Sequence, residues 1–180
     1  GTTKAFPMHL DRTLRLLALL SVNFCLPDST SLLAHHQPFE FRDGDRVVFL
    51  GGTFAEREGH FGYIETAVTS ALPKVQVTFR NLGWSGDTVW AASRGLYDSP
   101  PVGYEKMIAL TKDLRPTVLL LAYGAHESFA GEAGLQPFVR QYEKLLDDLA
   151  PLGCRLVFFT PHQWETPEPP LPDESRGNAV

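Results

Sequence analysis

Thr117-Val118-Leu119-Leu120-Leu121-Ala122-Tyr123-Gly124-Ala125-His126-Glu127-Ser128 is the segment that decides the fold. From Val118 to Tyr123 the chain is apolar at successive positions, so a strand built from it is greasy on both faces. That suits the middle of a parallel sheet covered on both sides, whereas a strand with one wet face would alternate. The run stops at Gly124 and turns polar, so the strand delivers a short polar loop to one edge of its sheet.

Three more runs read as strands. Arg46-Val47-Val48-Phe49-Leu50 follows the turn sequence Asp43-Gly44-Asp45. Val75, Val77 and Phe79 alternate with Gln76 and Thr78, and Arg155-Leu156-Val157-Phe158-Phe159-Thr160 closes the series. Helical stretches lie between them. Phe138, Tyr142, Leu145, Leu146 and Leu149 recur at helical spacing, with Pro137 near the start of that helix and Gly153 just past its end. Arg57 to Ala71 also suits a helix, as does Tyr104 to Leu114, which Arg115-Pro116 ends. Strands alternating with helices imply right-handed crossovers and a parallel sheet. The expected fold is therefore α/β, a flavodoxin-like three-layer α/β/α arrangement. No internal repeat is visible, and the four prolines between Thr166 and Pro172 exclude regular structure there.

A chain of 180 residues accommodates one domain with a real core. The net charge of -5, with Lys and Arg scattered singly, excludes the basic face of a nucleic-acid binder. Cys25 and Cys154 are too few and too far apart for a disulfide framework or a cysteine metal site. His35-His36 lacks the remaining ligands of a metal centre. No Gly-x-Gly-x-x-Gly follows any strand, so a dinucleotide is not expected. Neither a metal nor a cofactor is anticipated.

The N-terminus reads differently. From Met8, a basic stretch containing Arg12 and Arg15 precedes the apolar run Leu16-Leu17-Ala18-Leu19-Leu20-Ser21-Val22, and a small residue follows at Ala34. This pattern suggests a secretory signal peptide, and hence a secreted or periplasmic protein. Gly1 to Pro7 then resemble upstream translated sequence. The run is too short for stable membrane insertion, and Cys25 follows Phe24 rather than the small residue a lipid attachment site needs. An amphipathic helix packed on the domain is the other reading. The division expected is residues 1–37 as upstream residues and signal peptide, and 38–180 as the domain.

In parallel α/β sheets, ligands bind at the carboxyl ends of the strands. Three polar segments fall there: Gly51-Gly52-Thr53-Phe54, Asn81-Leu82-Gly83-Trp84-Ser85-Gly86-Asp87-Thr88, and Gly124 to Ser128. In this order, over about residues 43 to 165, the chain resembles the SGNH hydrolases, also called the GDSL esterases and lipases. Their first block reads Gly-Asp-Ser, their second ends in Ser-Gly-Asp or Ser-Gly-Asn, and their third reads Gly-x-Asn-Asp/Glu. The stretch also looks like a branch found in secreted proteins of planctomycete-type bacteria, sometimes fused to cytochrome-like domains. There the first block often departs from Gly-Asp-Ser.

The resemblance implies ester hydrolysis, with a small-molecule or carbohydrate ester as substrate. It makes Thr53 the nucleophile and the Gly86 N–H and His126 the oxyanion donors, with Gly52, Trp84 and Glu127 along the substrate path. A hydroxyl at a helix N-terminus is electrostatically favoured for such work, and an oxyanion hole needs converging N–H donors. Several positions depart from the family. Gly52 replaces its Asp, Thr53 its Ser and His126 its Asn. The family's fourth block, an Asp-x-x-His near the C-terminus that supplies the base and its carboxylate, has no counterpart after residue 127. The expectation is a copy of the fold truncated at its C-terminus, with a possible fused domain in a full-length form. A binding domain or inactive remnant of the same fold is the alternative.

Plainer roles are available for the same residues. Thr53 and Glu56 fit a Thr-x-x-Glu capping box, His126 fits an exposed loop, and Trp84 and Trp90 fit packing. Glu127 and Ser128 fit hydrogen bonding around their own loop. His162, after Thr160-Pro161, falls at the same sheet edge without the family's catalytic-histidine context.

Overall fold

The structure is a computed structural model that describes residues 38–96, 98–163, 165 and 178. The expected signal peptide, Cys25, the His35-His36 pair and the proline-rich stretch lie outside these residues.

The elements run β1 (Asp45–Gly51), α1 (Thr53–Phe61), α2 (Tyr63–Ala71), β2 (Val77–Asn81), α3 (Pro100–Asp113), β3 (Val118–Ala122), α4 (Glu132–Leu149) and β4 (Arg155–Phe158). Short 3-10 turns at Ser93–Leu96, Glu127–Ala130 and Ala150–Leu152 join some of them. The four strands form one sheet in the order β2-β1-β3-β4, parallel throughout. Val48 pairs with Arg80 on one side and Leu119 on the other, so β1 and β3 lie in the middle.

Burial follows from that placement. In β1, Val48 and Leu50 join Leu119 and Leu121 of β3 in a core under α3 and α4, which adds Met107, Ile108, Leu145 and Leu149. Val47, Phe49, Val118 and Leu120 point the other way, onto Ala55 of α1 and Ile64 and Val68 of α2. Two helices on each face make the three layers, and both cores need the strict inward alternation of central strands. The fold class expected from the sequence is the one observed.

Some boundaries differ from expectation: α3 begins at Pro100 rather than Tyr104, β4 ends at Phe158 rather than Thr160, and two further differences have a visible cause. The helix anticipated over Arg57–Ala71 is two helices, broken at Gly62, which takes a left-handed conformation (φ 63) and caps α1. The Glu58 carboxylate accepts the Ile64 N–H across the break, so α2 restarts at once. Strand β2 begins two residues later than the Val75 alternation suggests, because Val75 N–H bonds back to the Leu72 carbonyl in a turn.

At the amino ends of the strands a clamp holds the sheet. The Asp45 carboxylate accepts hydrogen bonds from Arg42 N–H (2.7 Å), Thr117 Oγ1 (2.7 Å) and Arg155 Nη2 (2.5 and 2.6 Å). It thereby ties β1 to the segments entering β3 and β4. Burial alone would raise the Asp45 carboxyl, but these donors outweigh it and hold it below its ordinary value. The opposite, carboxyl ends of the strands are left free for chemistry.

Candidate active site

All four strands feed one cleft. β1 runs into Gly52 and Thr53, β2 into the loop from Leu82 to Asp87, β3 into Tyr123 to Glu127, and β4 towards Pro161 and His162. The cleft has a volume of about 410 Å³, and its lining includes Gly52, Thr53, Arg57, His126, Glu127, Phe129 and His162. A larger groove of about 580 Å³ runs between α3 and α4 past Trp90 and Tyr104. It carries none of the three motif segments, so the sheet-edge cleft is the candidate site.

Thr53 is the first residue of α1, with Gly52 as the N-cap and no side-chain cap hydrogen bond. The capping box is therefore not formed. Thr53 Oγ1 instead accepts the Gly86 N–H at 2.9 Å. Glu56, its expected partner, turns away: Oε1 meets His60 Nε2 at 2.9 Å and Oε2 accepts Ser85 Oγ–H at 3.1 Å.

Gly86 sits in a left-handed turn (φ 71), which aims its N–H at the threonine. A Cβ added at Gly86 would lie 3.8 Å from His126 Nε2, so the imidazole edge faces that same peptide. The His126 ring rests edge-on to Phe129 at 5.6 Å between centroids. Thr53, Gly86 and His126 are thus brought together from β1, β2 and β3.

The second-block loop is pressed onto the first block. The Trp84 N–H donates to the Gly51 carbonyl at 3.0 Å, and a Cβ at Gly52 would come within 2.8 Å of the Asp87 carbonyl oxygen. The family's Asp therefore has no room at position 52 without moving this loop. Gly83 is tighter still, its added Cβ meeting Glu56 N at 2.3 Å. Beneath the loop, the buried Asp87 carboxylate takes Arg94 Nε at 2.6 Å and Ser93 N–H at 3.3 Å. Arg94 also donates to the Leu82 carbonyl. One ion pair thus holds both ends of the turn that presents Gly86.

Glu127 is 8% exposed, and its carboxylate is committed to backbone. Oε1 accepts Val89 N–H at 2.8 Å and Oε2 accepts Gly124 N–H at 2.9 Å, so it ties the second loop to the third. Trp84 does not line the cleft. It is 46% exposed, with the Arg94 guanidinium 5.7 Å from its ring centroid. Tyr123 lines the cleft wall, where burial pushes its hydroxyl well above the ordinary tyrosine range and keeps it neutral.

The sequence reading did not pick out Arg57, Arg94 or Phe129, and placed His162 only at the edge. Arg57 carried a usable signal, since it stands four residues after Thr53 and so on the same helix face. The Asp87–Arg94 pair carried none, because a turn of irregular backbone separates the two.

No family model matches the chain, and no curated protein matches it in sequence. Solved structures do share its fold. BT4096, a gut microbial diltiazem-metabolizing enzyme, superposes with a TM-score of 0.59 at 21% identity, over 78% of this chain and 33% of that one. Axe2, an acetylxylan esterase from Geobacillus stearothermophilus, gives a TM-score of 0.54 at 16% identity, over 73% of this chain and 66% of that one. Its R55A mutant gives 0.57 at 15%, over 78% and 69%. The chain thus spans a third of the first protein and about two thirds of the second. The chain shares with these enzymes the α/β fold of a parallel sheet flanked by helices. Among the described residues, no helix is long and apolar enough to cross a membrane.

Proposed function

We propose that the chain is an SGNH-type ester hydrolase with Thr53 as nucleophile, acting on small-molecule or carbohydrate esters. The observation that carries this is the Thr53 Oγ1 to Gly86 N–H contact of 2.9 Å, with His126 alongside, at the carboxyl ends of a parallel sheet. In this reading Thr53 Oγ attacks the acyl carbon and gives its proton to a base. The carbonyl oxygen gains negative charge, which the Gly86 N–H and a His126 N–H stabilise. Collapse expels the alcohol with a proton, and water then hydrolyses the acyl-threonine. Gly52 shapes the floor, Glu127 positions the third loop and Trp84 lies outside the immediate cleft. The base is the unassigned member. His126 and His162 are the described histidines of the cleft, and histidine is the commonest proton carrier near neutral pH.

The esterase neighbours support this reading at the level of fold, as does the order of the three motif segments. The narrower assignment rests on sequence pattern alone: the planctomycete-like branch, a signal peptide with a secreted or periplasmic location, a domain over 38–180 and a fused partner domain. A second reading, a binding domain without chemistry, is favoured by the departures from the family's motif residues at Gly52, Thr53 and His126.

Hydrolysis of 4-nitrophenyl acetate by the wild type and by Thr53→Ala distinguishes the two. The hydrolase reading expects measurable turnover that falls by about a hundredfold or more in a folded mutant, as loss of a nucleophile does. Equal rates for the two proteins would remove Thr53 from the reaction.

A further inference from the structure

We infer that Arg57 is a specificity residue, selecting esters that carry a carboxylate near the scissile carbonyl; this rests on the hydrolase reading above. Arg57 lies one turn beyond Thr53 on α1, so its side chain rises from the same face of the helix. It lines the same cleft as Thr53, His126 and His162.

The carboxylates around it are all engaged elsewhere. Glu56, its neighbour in sequence, divides its oxygens between His60 and Ser85. Glu58 holds the Ile64 N–H. The two acidic residues of the cleft wall are spent as well. Asp87 is paired with Arg94, and Glu127 binds two backbone N–H groups. No described carboxylate forms an ion pair with Arg57.

Arg57 is thereby the cleft's cation that no described carboxylate pairs with. Arg57, itself exposed, stands at a cleft lined also by Phe54, Ala122 and Phe129, where Asp87 is offset by Arg94 and the Glu127 carboxylate is taken up by backbone N–H groups. Low-dielectric walls strengthen the pull of such a charge on an anion. A guanidinium binds a carboxylate through two parallel N–H donors, which fixes orientation as well as charge. An ester bound with its acyl carbon at Thr53 can therefore anchor a carboxylate on Arg57, one helical turn away.

Two esters of similar length separate this from the hydrolase reading: 4-nitrophenyl hemiglutarate, which is anionic, and neutral 4-nitrophenyl butyrate. The expected ratio of their kcat/KM values favours the anion in the wild type and falls at least tenfold in Arg57→Gln, mainly through KM. Arg57→Lys should keep part of the preference. A ratio unchanged within twofold in Arg57→Gln overturns the proposal. Binding is read independently by NMR titration of the chain with methyl hydrogen glutarate. Its Kd should rise about tenfold in Arg57→Gln and weaken with added salt. A Kd indifferent to Arg57 also overturns the proposal. Should neither ester be hydrolysed in a Thr53-dependent way, the hydrolase reading fails, and the titration alone decides Arg57.

Discussion

Thr53 gives up nothing obvious by not being serine, but its methyl and its hydrogen bond both constrain it. A β-branched side chain is stiff at χ1, and the Gly86 N–H holds its oxygen in one place. On attack, that N–H must release the hydroxyl oxygen and turn to the new oxyanion. Thr53→Ser keeps the hydrogen bond while freeing the rotation, so its rate on 4-nitrophenyl acetate should equal or exceed the wild type. Thr53→Val keeps the shape and drops the oxygen. It should abolish turnover and lower stability by about 1 kcal/mol, since a partly buried N–H loses its acceptor. Stopped-flow kinetics and urea melts of the three proteins measure both effects. Glu127 is the contrasting case at this scale. The sequence placed it among the substrate contacts and also offered hydrogen bonding around its loop; it lines the cleft, and its two backbone bonds brace the second loop against the third. Glu127→Ala should cost about 2–4 kcal/mol in a urea melt, with two buried N–H groups left open. A change below about 0.5 kcal/mol would deny it that role.

The strands were legible at the scale of elements because each is a short apolar run with a single sensible length. Val118 to Tyr123 could only be central, and β3 is central. The break at Gly62 was not legible, since helical spacing continues across it and only the left-handed backbone of Gly62 (φ 63) marks the stop. The motif segments were legible as loops at strand ends, yet their packing was not. Nothing in Asn81 to Thr88 says that Gly83 touches the backbone of α1. That contact carries a prediction. The atoms a Cβ would meet, Glu56 N and the Ala55 carbonyl carbon, are main chain and cannot rotate aside. Gly83→Ala should therefore separate α1 from the second loop and cost about 3 kcal/mol or more. The Thr53–Gly86 hydrogen bond should go with it. A near-neutral Gly83→Ala melt, with the Gly86 amide still protected from hydrogen exchange, would contradict this.

For the whole molecule the two ends of the sheet have divided their tasks. The carboxyl ends carry glycine-bearing loops and an open cleft, and the amino ends carry the clamp on Asp45. That clamp was invisible in sequence, since Asp43-Gly44-Asp45 reads only as a turn and Thr117 and Arg155 lie far along the chain. It makes the fold sensitive to acid in a direction that can be worked out. The Asp45 carboxyl sits below its ordinary value in the folded chain, while the unfolded chain titrates near the usual value of about 3.9. As pH falls, the unfolded state therefore takes up the proton first. The clamp's stabilisation is fully present above that value and is lost as pH drops through the lower folded-state value. Asp148, held down mainly by Lys144 and Tyr104, has the same sign, but solvent weakens it. Urea midpoints should fall between pH 5 and pH 2.5. Asp45→Asn should lower the unfolding free energy at pH 6 by about 2–4 kcal/mol, because the buried position loses the carboxylate that Arg155 and Thr117 bind. The same mutant should flatten the acid slope. A slope equal to that of the wild type would show that the carboxylates answering to acid lie elsewhere in the chain.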